Sequence, residues 1–312
     1  MTFSMLTRMR AAALTAGAVL LAGALLAAWQ GGADDGAAAS ARVRVVATTT
    51  QAADLARNVA GPDAQVTALL AANADPHAYE LRPHDLERLA RADLVVRSGG
   101  DVDAWLAGAL AGSGSQAPVL DLAAHVRPRG DDPHWWQDPR NAERAVRVLA
   151  GALAAADPER REAYGPRGRA YAARIGALDR AVRRCIGSIP PERRKLVTTH
   201  DALGAYAARY GLRVVGTVIP ARSTVAQPSA GEIRDLVATI RREGVPAIFA
   251  ESAVHPKVEA AVARAPGARV GAPLWADTLG PPGSDGATYL ESIAANTRAI
   301  AAGLGGDRAA CP

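Results

Sequence analysis

The sequence lacks the short motifs that identify common hydrolases. Its 312 residues contain no His-Glu-x-x-His pair and no Gly-x-Ser-x-Gly nucleophile elbow. A hydrolase that used a metal-bound water would need a general base, and only Glu251, at the end of an apolar run, is a candidate. The sequence therefore disfavours a hydrolase without excluding one.

Cysteine is nearly absent, since Cys185 and Cys311 are the only two. Cys185 falls in a predicted long helix, and Cys311 is next to the carboxyl-terminal residue. In an oxidising compartment these two residues could form a disulfide that holds the carboxyl terminus. No sequence rule gives their distance, so two unpaired thiols are an equal alternative.

A continuous stripe of positive charge is also missing, although the net charge is +5 and the pI is about 9.6. Arginines are mixed with carboxylates along the predicted helices, as at Arg82, Glu87, Arg88, Arg91 and Asp93. This mixture is typical of a solvated surface and not of a nucleic-acid interface. We therefore expect no nucleic-acid partner.

The amino-terminal segment has the composition of an export signal. Arg8 and Arg10 precede an apolar run over 11–28, and small residues follow at 37–41. We assign residues 1–41 to this signal, although the run is also just long enough for an uncleaved membrane anchor. Trp29 occupies the position where a lipoprotein signal has its lipidated cysteine, so no lipid can be attached there. The expected location is the periplasm or the cell surface.

Short apolar runs alternate with helical patterns in two parts of the remaining chain. The first part has predicted strands at 42–48, 66–70, 94–96 and 119–120, with helices at 52–60, 83–92 and 102–110. The second has strands at 195–199, 213–218, 246–250 and 268–271, with helices at 201–210, 230–242, 256–265 and 286–303. This alternation predicts an α/β fold whose sheets are mostly parallel and covered by helices.

A nearly continuous helical pattern separates the two parts. It begins at Pro139 and ends at about Ile186, with predicted interruptions at Asp157-Pro158 and Gly165-Pro166. We predict an amino-terminal (β/α) lobe over 42–157, a linking helix over 158–190 and a carboxyl-terminal (β/α) lobe over 191–312.

Four potential metal ligands lie in loops, and several of them follow predicted strands. His200 directly follows the strand at 195–199, and His77, His134 and Asp277 lie in other loops. Ligands collect outside the carboxyl ends of strands in open α/β sheets. Three imidazoles and one carboxylate suit a tetrahedral divalent ion, zinc above all. Spacing alone does not bring these four residues together.

A series of motifs in fixed order gives the chain a family resemblance. The motifs are Thr48-Thr49-Thr50, Asp75-Pro-His-Ala-Tyr-Glu80, His134-Trp-Trp-Gln-Asp-Pro139, Thr198-Thr-His-Asp-Ala202, Trp275-Ala-Asp-Thr-Leu279 and Gly286-Ala-Thr-Tyr-Leu290. In this order they resemble the cluster A substrate-binding proteins of zinc and manganese ABC importers, the zinc-binding branch in particular. The resemblance extends from about residue 43 to residue 304.

This resemblance implies a metal site in the cleft between two lobes that are joined by one long helix. Carried over by motif, the amino-terminal lobe supplies His77 and His134, and the carboxyl-terminal lobe supplies His200 and Asp277. Manganese-preferring relatives often have Glu where this chain has His200, which favours zinc. The long His- and acid-rich loop of many zinc importers is replaced by the short segment 124–132, in which only His125 could contact metal transiently.

Other residues near these motifs have their own expected roles. Glu251 could orient His200 as an outer carboxylate, or it could make a buried structural hydrogen bond. Trp135 and Trp136 are expected to pack around the site and to exclude water. His84 and His255, which lie beside prolines at helix starts, are interpreted as capping or surface residues.

The resemblance implies a monomeric, exported protein that binds Zn²⁺ with high affinity and delivers it to an ABC transporter permease. A periplasmic metallochaperone is a further candidate partner, and no enzymatic activity is expected. A manganese-binding importer component is the main alternative. A zinc hydrolase and a zinc-buffering surface protein or adhesin are less favoured.

Overall fold

The computed structural model describes residues 42–254, 257–264 and 267–312. The predicted export signal and His255 lie outside the described residues. Within these ranges, no helix combines the length and the apolar character that are needed to cross a membrane.

A four-stranded parallel sheet forms the first part of the chain. Its strands are β1 (Val43–Ala47), β2 (Ala64–Ala68), β3 (Leu94–Arg97) and β4 (Val119–Asp121), and their order is β2-β1-β3-β4. Helices α1 (Thr50–Ala60), α2 (Pro83–Ala90) and α3 (Leu106–Ser113) lie in the crossovers. The central strand β1 is apolar and mostly buried, as expected for a parallel strand covered on both faces.

Helix α3 begins four residues later than predicted because Asp103 organises the preceding segment. The buried Asp103 carboxylate accepts hydrogen bonds from the backbone amides of Ser98 and Gly99, the hydroxyl of Thr48 and the guanidinium of Arg97. An Asp side chain that binds nearby backbone amides competes with helix formation. The chain therefore turns around this carboxylate before α3 begins.

Two long helices follow the first sheet. Helix α4 (Pro139–Ala156) packs against α5 (Arg161–Gly187), which has 27 residues and also contacts α1. At 1.5 Å per residue, α5 is about 40 Å long. The predicted break at Asp157-Pro158 is confirmed, since a short turn over Pro158–Arg160 separates the two helices.

The predicted interruption at Gly165-Pro166 is wrong. Pro166 lies inside α5, near its amino terminus, where it removes only one backbone hydrogen bond. The residues on either side are packed tightly: Tyr164 and Tyr171 are buried, and a Cβ on Gly168 would lie 3.1 Å from Ala150 of α4. We attribute the continuity of α5 to this packing, which outweighs the effect of the proline.

A second set of parallel strands lies after α5. Strands β5 (Lys195–Thr198) and β6 (Arg213–Thr217) form one pair, and β7 (Ala247–Ile248) and β8 (Arg269–Val270) form another. A parallel bridge from Thr198 to Phe249 links the two pairs. The helices of this part are α6 (Gly204–Tyr210), α7 (Ala230–Glu243), α8 (Lys257–Arg264) and α9 (Tyr289–Leu304). The predicted α/β fold, in which two lobes with parallel strands are joined by one long helix, is confirmed.

Helix α6 begins at Gly204, three residues later than predicted. Residues 201–203 form a turn, in which the Asp201 amide donates to the Ala221 carbonyl and the Ala202 amide donates to the His200 carbonyl. These hydrogen bonds hold residues 201–203 in a turn, so the helix begins after them. The predicted end of α6 is confirmed by Gly211, which has a φ of 73°.

Cys185 and Cys311 form a disulfide, which decides between the two alternatives that the sequence left open. Their Cα atoms are 4.5 Å apart, and the two residues are separated by 126 positions. Cys185 is fully buried on α5, so the bond fixes the carboxyl-terminal segment to the long helix.

Candidate metal centre

Each of the four potential ligands lies beyond the carboxyl end of a parallel strand. His77 is in the loop after β2, His134 is in the loop after β4, His200 is in the turn after β5, and Asp277 is in the loop after β8. The carboxyl ends of the strands form the edge at which open α/β sheets bind ligands. Chain topology therefore brings together residues that are up to 200 positions apart in the sequence.

The structure places one ligand atom of each residue within 4.8 Å of all the others. Nε2 of His77 and Nε2 of His200 lie 3.2 and 3.1 Å from Oδ2 of Asp277. Nε2 of His134 lies 3.5 Å from Oδ1 of Asp277. All four side chains are at most 3% exposed. The three imidazoles therefore surround one buried carboxylate.

Most of the buried polar atoms without a hydrogen-bond partner belong to this cluster. Among the described residues there are nine such atoms, and five of them are the Nε2 atoms of His77, His134 and His200 and both carboxylate oxygens of Asp277. A buried polar atom without a partner is destabilising, so native proteins rarely concentrate such atoms in one place. A bound cation would be contacted by all four side chains at once, which explains this arrangement.

Glu251 fixes the orientation of the His200 ring. Its Oε1 lies 2.7 Å from Nδ1 of His200 and accepts a second hydrogen bond from the His200 backbone amide at 3.2 Å. Because a carboxylate accepts, Nδ1 carries the proton and Nε2 presents its lone pair to the cluster. Glu251 thus has the geometry of an outer carboxylate.

Asp132 makes the same contacts with His134, and the sequence analysis missed it. Its Oδ1 accepts from the His134 backbone amide at 3.0 Å and lies 2.8 Å from Nδ1 of the ring. The signal in the sequence is a repeated Asp-Pro-His motif, because Asp75 also accepts from the backbone amide of His77, at 2.9 Å. Asp side chains often bind the backbone two residues further on.

The three threonines after β1 support the site indirectly. Thr48 donates to Asp103 at 2.7 Å, Thr49 caps α1 by accepting from the amide of Ala52, and Thr50 accepts from the amide of Leu279 at 2.8 Å. Each threonine thus has a different partner. Thr50 is the one that reaches the loop of Asp277.

The charges in the cluster shift the pKa values of its members in opposite directions. Burial lowers the pKa of His200, but the Asp277 and Glu251 carboxylates outweigh this effect and raise it well above its usual value. Burial raises the pKa of Asp277, but His200 and His134 outweigh it and hold the pKa well below its usual value. Burial raises the pKa of Glu251, and the attraction of His200 offsets this only in part. Protons therefore compete with a cation for His200.

The other histidines of the described part of the chain lie apart from the cluster. His84, at the start of α2, has a side chain that is 49% exposed and lies 3.2 Å from Asp85. This agrees with its interpretation as a surface residue. His125 is exposed in the short turn Ala123–His125, and its transient contact with metal stays a prediction.

The two tryptophans after His134 are buried, each with 1% exposure. The ring of Trp136 lies 5.4 Å from the ring of His134 in an edge-to-face arrangement. The Trp135 indole donates to the Ser98 carbonyl at 2.9 Å. The Trp136 ring thus occupies space beside His134 that water would otherwise fill, and the Trp135 ring packs edge-to-face against Trp136.

Comparison with known proteins agrees with this architecture. A family model described as "Zinc-uptake complex component A periplasmic" (ZnuA) matches residues 45–303. The zinc-binding protein TroA of Treponema pallidum is 32% identical over 281 residues, which covers 86% of this chain and 91% of TroA. The solved structure of TroA superposes with a TM-score of 0.80 and 29% identity, over 85% of this chain and 99% of that structure.

Other relatives with a similar percentage of identical residues are named as binders of other metals. The iron-binding protein YfeA of Yersinia pestis is 30% identical over 273 residues, which covers 85% of this chain and 87% of YfeA. The manganese-binding lipoprotein MntA of Bacillus subtilis is 30% identical over 283 residues, which covers 86% of this chain and 92% of MntA. Overall similarity therefore does not identify the metal.

Proposed function

Because this chain belongs to the ZnuA family of periplasmic metal-binding proteins, the substrate-binding components of metal ABC importers, we propose that its cargo is Zn²⁺. In this proposal His77, His134, His200 and Asp277 bind the ion, and Glu251 orients His200. The observation that carries the proposal is the group of five unpartnered, buried ligand atoms on these four residues.

The ligand set supports zinc over manganese. Three imidazole nitrogens and one carboxylate form a borderline-soft set, which zinc accepts with four ligands. Manganese prefers more oxygen ligands and has the lowest intrinsic affinity of the divalent first-row ions. In the turn after β5 this chain has His200, a nitrogen ligand, and not a carboxylate.

The spacing of the ligand atoms also supports a small tetrahedral ion. With bonds of 2.0–2.1 Å to zinc, neighbouring ligand atoms of a tetrahedron lie roughly 3.3 Å apart. The three separations between imidazole nitrogens and Asp277 oxygens are 3.1, 3.2 and 3.5 Å. These three distances, two to Oδ2 of Asp277 and one to Oδ1, are close to the separation in a tetrahedral zinc site.

Members of this family are transport components and not enzymes. The site agrees with this role, because four protein ligands would fill a tetrahedral shell. A catalytic zinc normally has three protein ligands and one open position for water. Glu251, the one candidate general base from the sequence, has its Oε1 occupied by His200.

The metal content of the protein tests the proposal. We expect protein that is purified without added metal to contain one zinc per chain by elemental analysis, and apo protein to take up zinc in preference to manganese when both are offered. Manganese or iron as the bound ion would overturn the choice of cargo. A chain that takes up no divalent metal would overturn the site.

Members of this family work with the permease and ATPase components of ABC transporters. We propose that this chain acts as an exported monomer that delivers zinc to such a permease, and that a periplasmic metallochaperone can load it. Co-purification with a membrane ABC complex and the mass in solution by light scattering test these partners. A stable dimer, or the absence of any bound permease, would contradict them.

A further inference from the structure

The Asp277 carboxylate has no hydrogen-bond donor of its own. Both of its oxygens are buried and unpartnered among the residues that the structure describes, apart from their proximity to the three imidazoles. His200 and His134 differ in this respect, because Glu251 and Asp132 orient their rings. Apart from the imidazoles, the hydrogen bonds within the described residues that locate this carboxylate act on the backbone of its loop.

Two buried side chains clamp that backbone directly beside Asp277. The carbonyl of Ala276 accepts one hydrogen bond from Nε2 of Gln137 at 2.7 Å and another from Nε1 of Trp136 at 2.9 Å. Gln137 is 1% exposed and Ala276 is 2% exposed. Both donors belong to the short turn Trp135–Gln137, which directly follows His134. One turn thus carries one ligand and holds the loop of another.

Gln137 uses only one end of its amide. Its Oε1 is buried and has no hydrogen-bond partner. The opposite amide orientation would place two acceptor oxygens 2.7 Å apart, so the contact with Ala276 fixes which end faces the loop. A buried acceptor without a partner is destabilising, and an apolar side chain would avoid this. The donor end of the amide therefore has a specific role at Ala276.

The loop of Asp277 is held on its other side as well. The amide of Leu279 donates to the Thr50 hydroxyl at 2.8 Å, and the carbonyl of Leu279 accepts from the amide of Asn73 at 2.9 Å. Thr50 and Asn73 both belong to the predicted amino-terminal lobe, as Gln137 does. Asp277 is thus bracketed by hydrogen bonds from that lobe, although chain order places it in the carboxyl-terminal lobe.

We infer that Gln137 is a positioning residue that holds the Asp277 carboxylate beside His134 through the Ala276 carbonyl. This inference rests on the proposed function, because it assumes that Asp277 is a metal ligand. It links His134 and Asp277 through one turn of the amino-terminal lobe, while Asn296 of α9 exchanges two hydrogen bonds with the backbone of Trp275 in the same loop. His200 then approaches this pair from the carboxyl-terminal lobe.

The test begins with Gln137→Met, which keeps a long side chain and removes the donor. Loss of an outer partner lowers metal affinity by about 10–100-fold, and we expect zinc affinity to fall within this range. The matched control is Asn58→Ala, which should leave affinity unchanged, because within the described part of the chain the Asn58 amide bonds to Asp54 of the same helix. Gln137→Leu is a second variant in case Gln137→Met does not fold.

A double-mutant cycle separates positioning from a general packing effect. If Gln137 acts through Asp277, adding Gln137→Met to Asp277→Ala should cause no further loss of affinity. Adding it to His200→Ala should cause the full loss that is seen in the wild type. An equal loss in the Asp277→Ala background would overturn the inference, because it would show that Gln137 does not act through Asp277.

The visible absorption of bound Co²⁺ gives a readout that does not depend on affinity. The intensity and position of its bands report coordination geometry, so Gln137→Met should change them at saturating cobalt while Asn58→Ala should not. A wild-type chain that binds no metal would overturn both this inference and the proposed function. A wild type that binds zinc, together with Gln137 variants whose affinity and cobalt spectrum are unchanged, would overturn this inference alone.

Discussion

Glu251 and His200 are joined by two hydrogen bonds to a single carboxylate oxygen, at 2.7 Å from the ring and 3.2 Å from the backbone amide. The two contacts fix both the rotation of the ring and the position of the proton on it. Asp132 repeats this arrangement at His134, with distances of 2.8 and 3.0 Å. Two of the three imidazoles are therefore oriented before any ion arrives.

Removing the outer carboxylates should weaken zinc binding without unfolding the chain. Glu251→Leu and Asp132→Leu should each lower affinity about 10–100-fold. Glu251→Gln should lose less than Glu251→Leu, because its amide oxygen can still accept from Nδ1. Chelator competition measures these effects.

Glu232→Gln is the matched control for these variants, since Glu232 is an exposed carboxylate that caps α7. It should not change affinity. Glu251→Leu binding zinc as tightly as the wild type would show that the contact is structural only.

Removing a ligand should be more damaging than removing its outer partner. His77→Ala, His134→Ala and His200→Ala should each lose more than the roughly 100-fold upper range for an outer partner. His84→Ala should bind zinc like the wild type, because the His84 side chain is half exposed and is not one of the clustered ligands. Isothermal titration with a competing chelator measures all four variants. An effect of His84→Ala as large as the others would refute the assignment of ligands.

The disulfide should stabilise the protein without affecting the metal site. Replacing Cys185 and Cys311 by Ala opens a loop whose ends are 126 residues apart, and native disulfides of this kind contribute about 2–5 kcal/mol. We expect urea denaturation to show a loss of unfolding free energy in this range, and zinc affinity to be unchanged. A double variant as stable as the wild type under oxidising conditions would show that the bond contributes nothing.

Asp179 stabilises the fold at neutral pH, and this contribution should be lost in acid. Burial alone would raise its pKa, but hydrogen bonds from Arg209 at 2.8 Å and from Tyr210 at 2.9 Å outweigh burial and lower it below its usual value of 3.8. The unfolded chain therefore binds the proton more readily than the folded chain does. The stabilisation is present above pH 3.8 and is lost as pH falls through the lower pKa of the folded state.

Asp179→Asn is the variant that tests this contribution. At neutral pH it should have a lower unfolding free energy than the wild type, and the difference should shrink as the pH falls below about 4. Denaturation at a series of pH values, with metal removed, measures it. A constant difference across the series would mean that the carboxylate charge is not involved.

The sequence was sufficient for the fold class and for the four clustered residues. Strand and helix patterns placed His77, His134 and His200 in loops. The order of the motifs then indicated, through the family resemblance, that these histidines and Asp277 form one site. Pairing across the sheet could not be read from periodicity. Without the family resemblance, nothing in the spacing would have joined Asp277 to the histidines.

The features that the sequence did not predict depend on contacts between distant residues. The late start of α3 follows from the buried carboxylate of Asp103, whose partners Thr48 and Ser98 lie just beyond the ends of β1 and β3. The continuity of α5 through Pro166 is explained by packing against α4. Asp132 was the exception, because the repeated Asp-Pro-His motif carried a local signal that could have been used.

The most direct test of the account is a chelator competition with zinc and with manganese, run in parallel at about pH 7.5 and pH 5.5. Ligand imidazoles must be deprotonated to bind, and an unperturbed His titrates near 6.5. Because the carboxylates raise the pKa of His200 in the free protein, protons compete with the ion more strongly as pH falls. We predict tight zinc binding at pH 7.5, much weaker zinc binding at pH 5.5 and weaker manganese binding at both. Equal affinity for the two ions, or zinc affinity that does not change with pH, would contradict a zinc site made of His77, His134, His200 and Asp277.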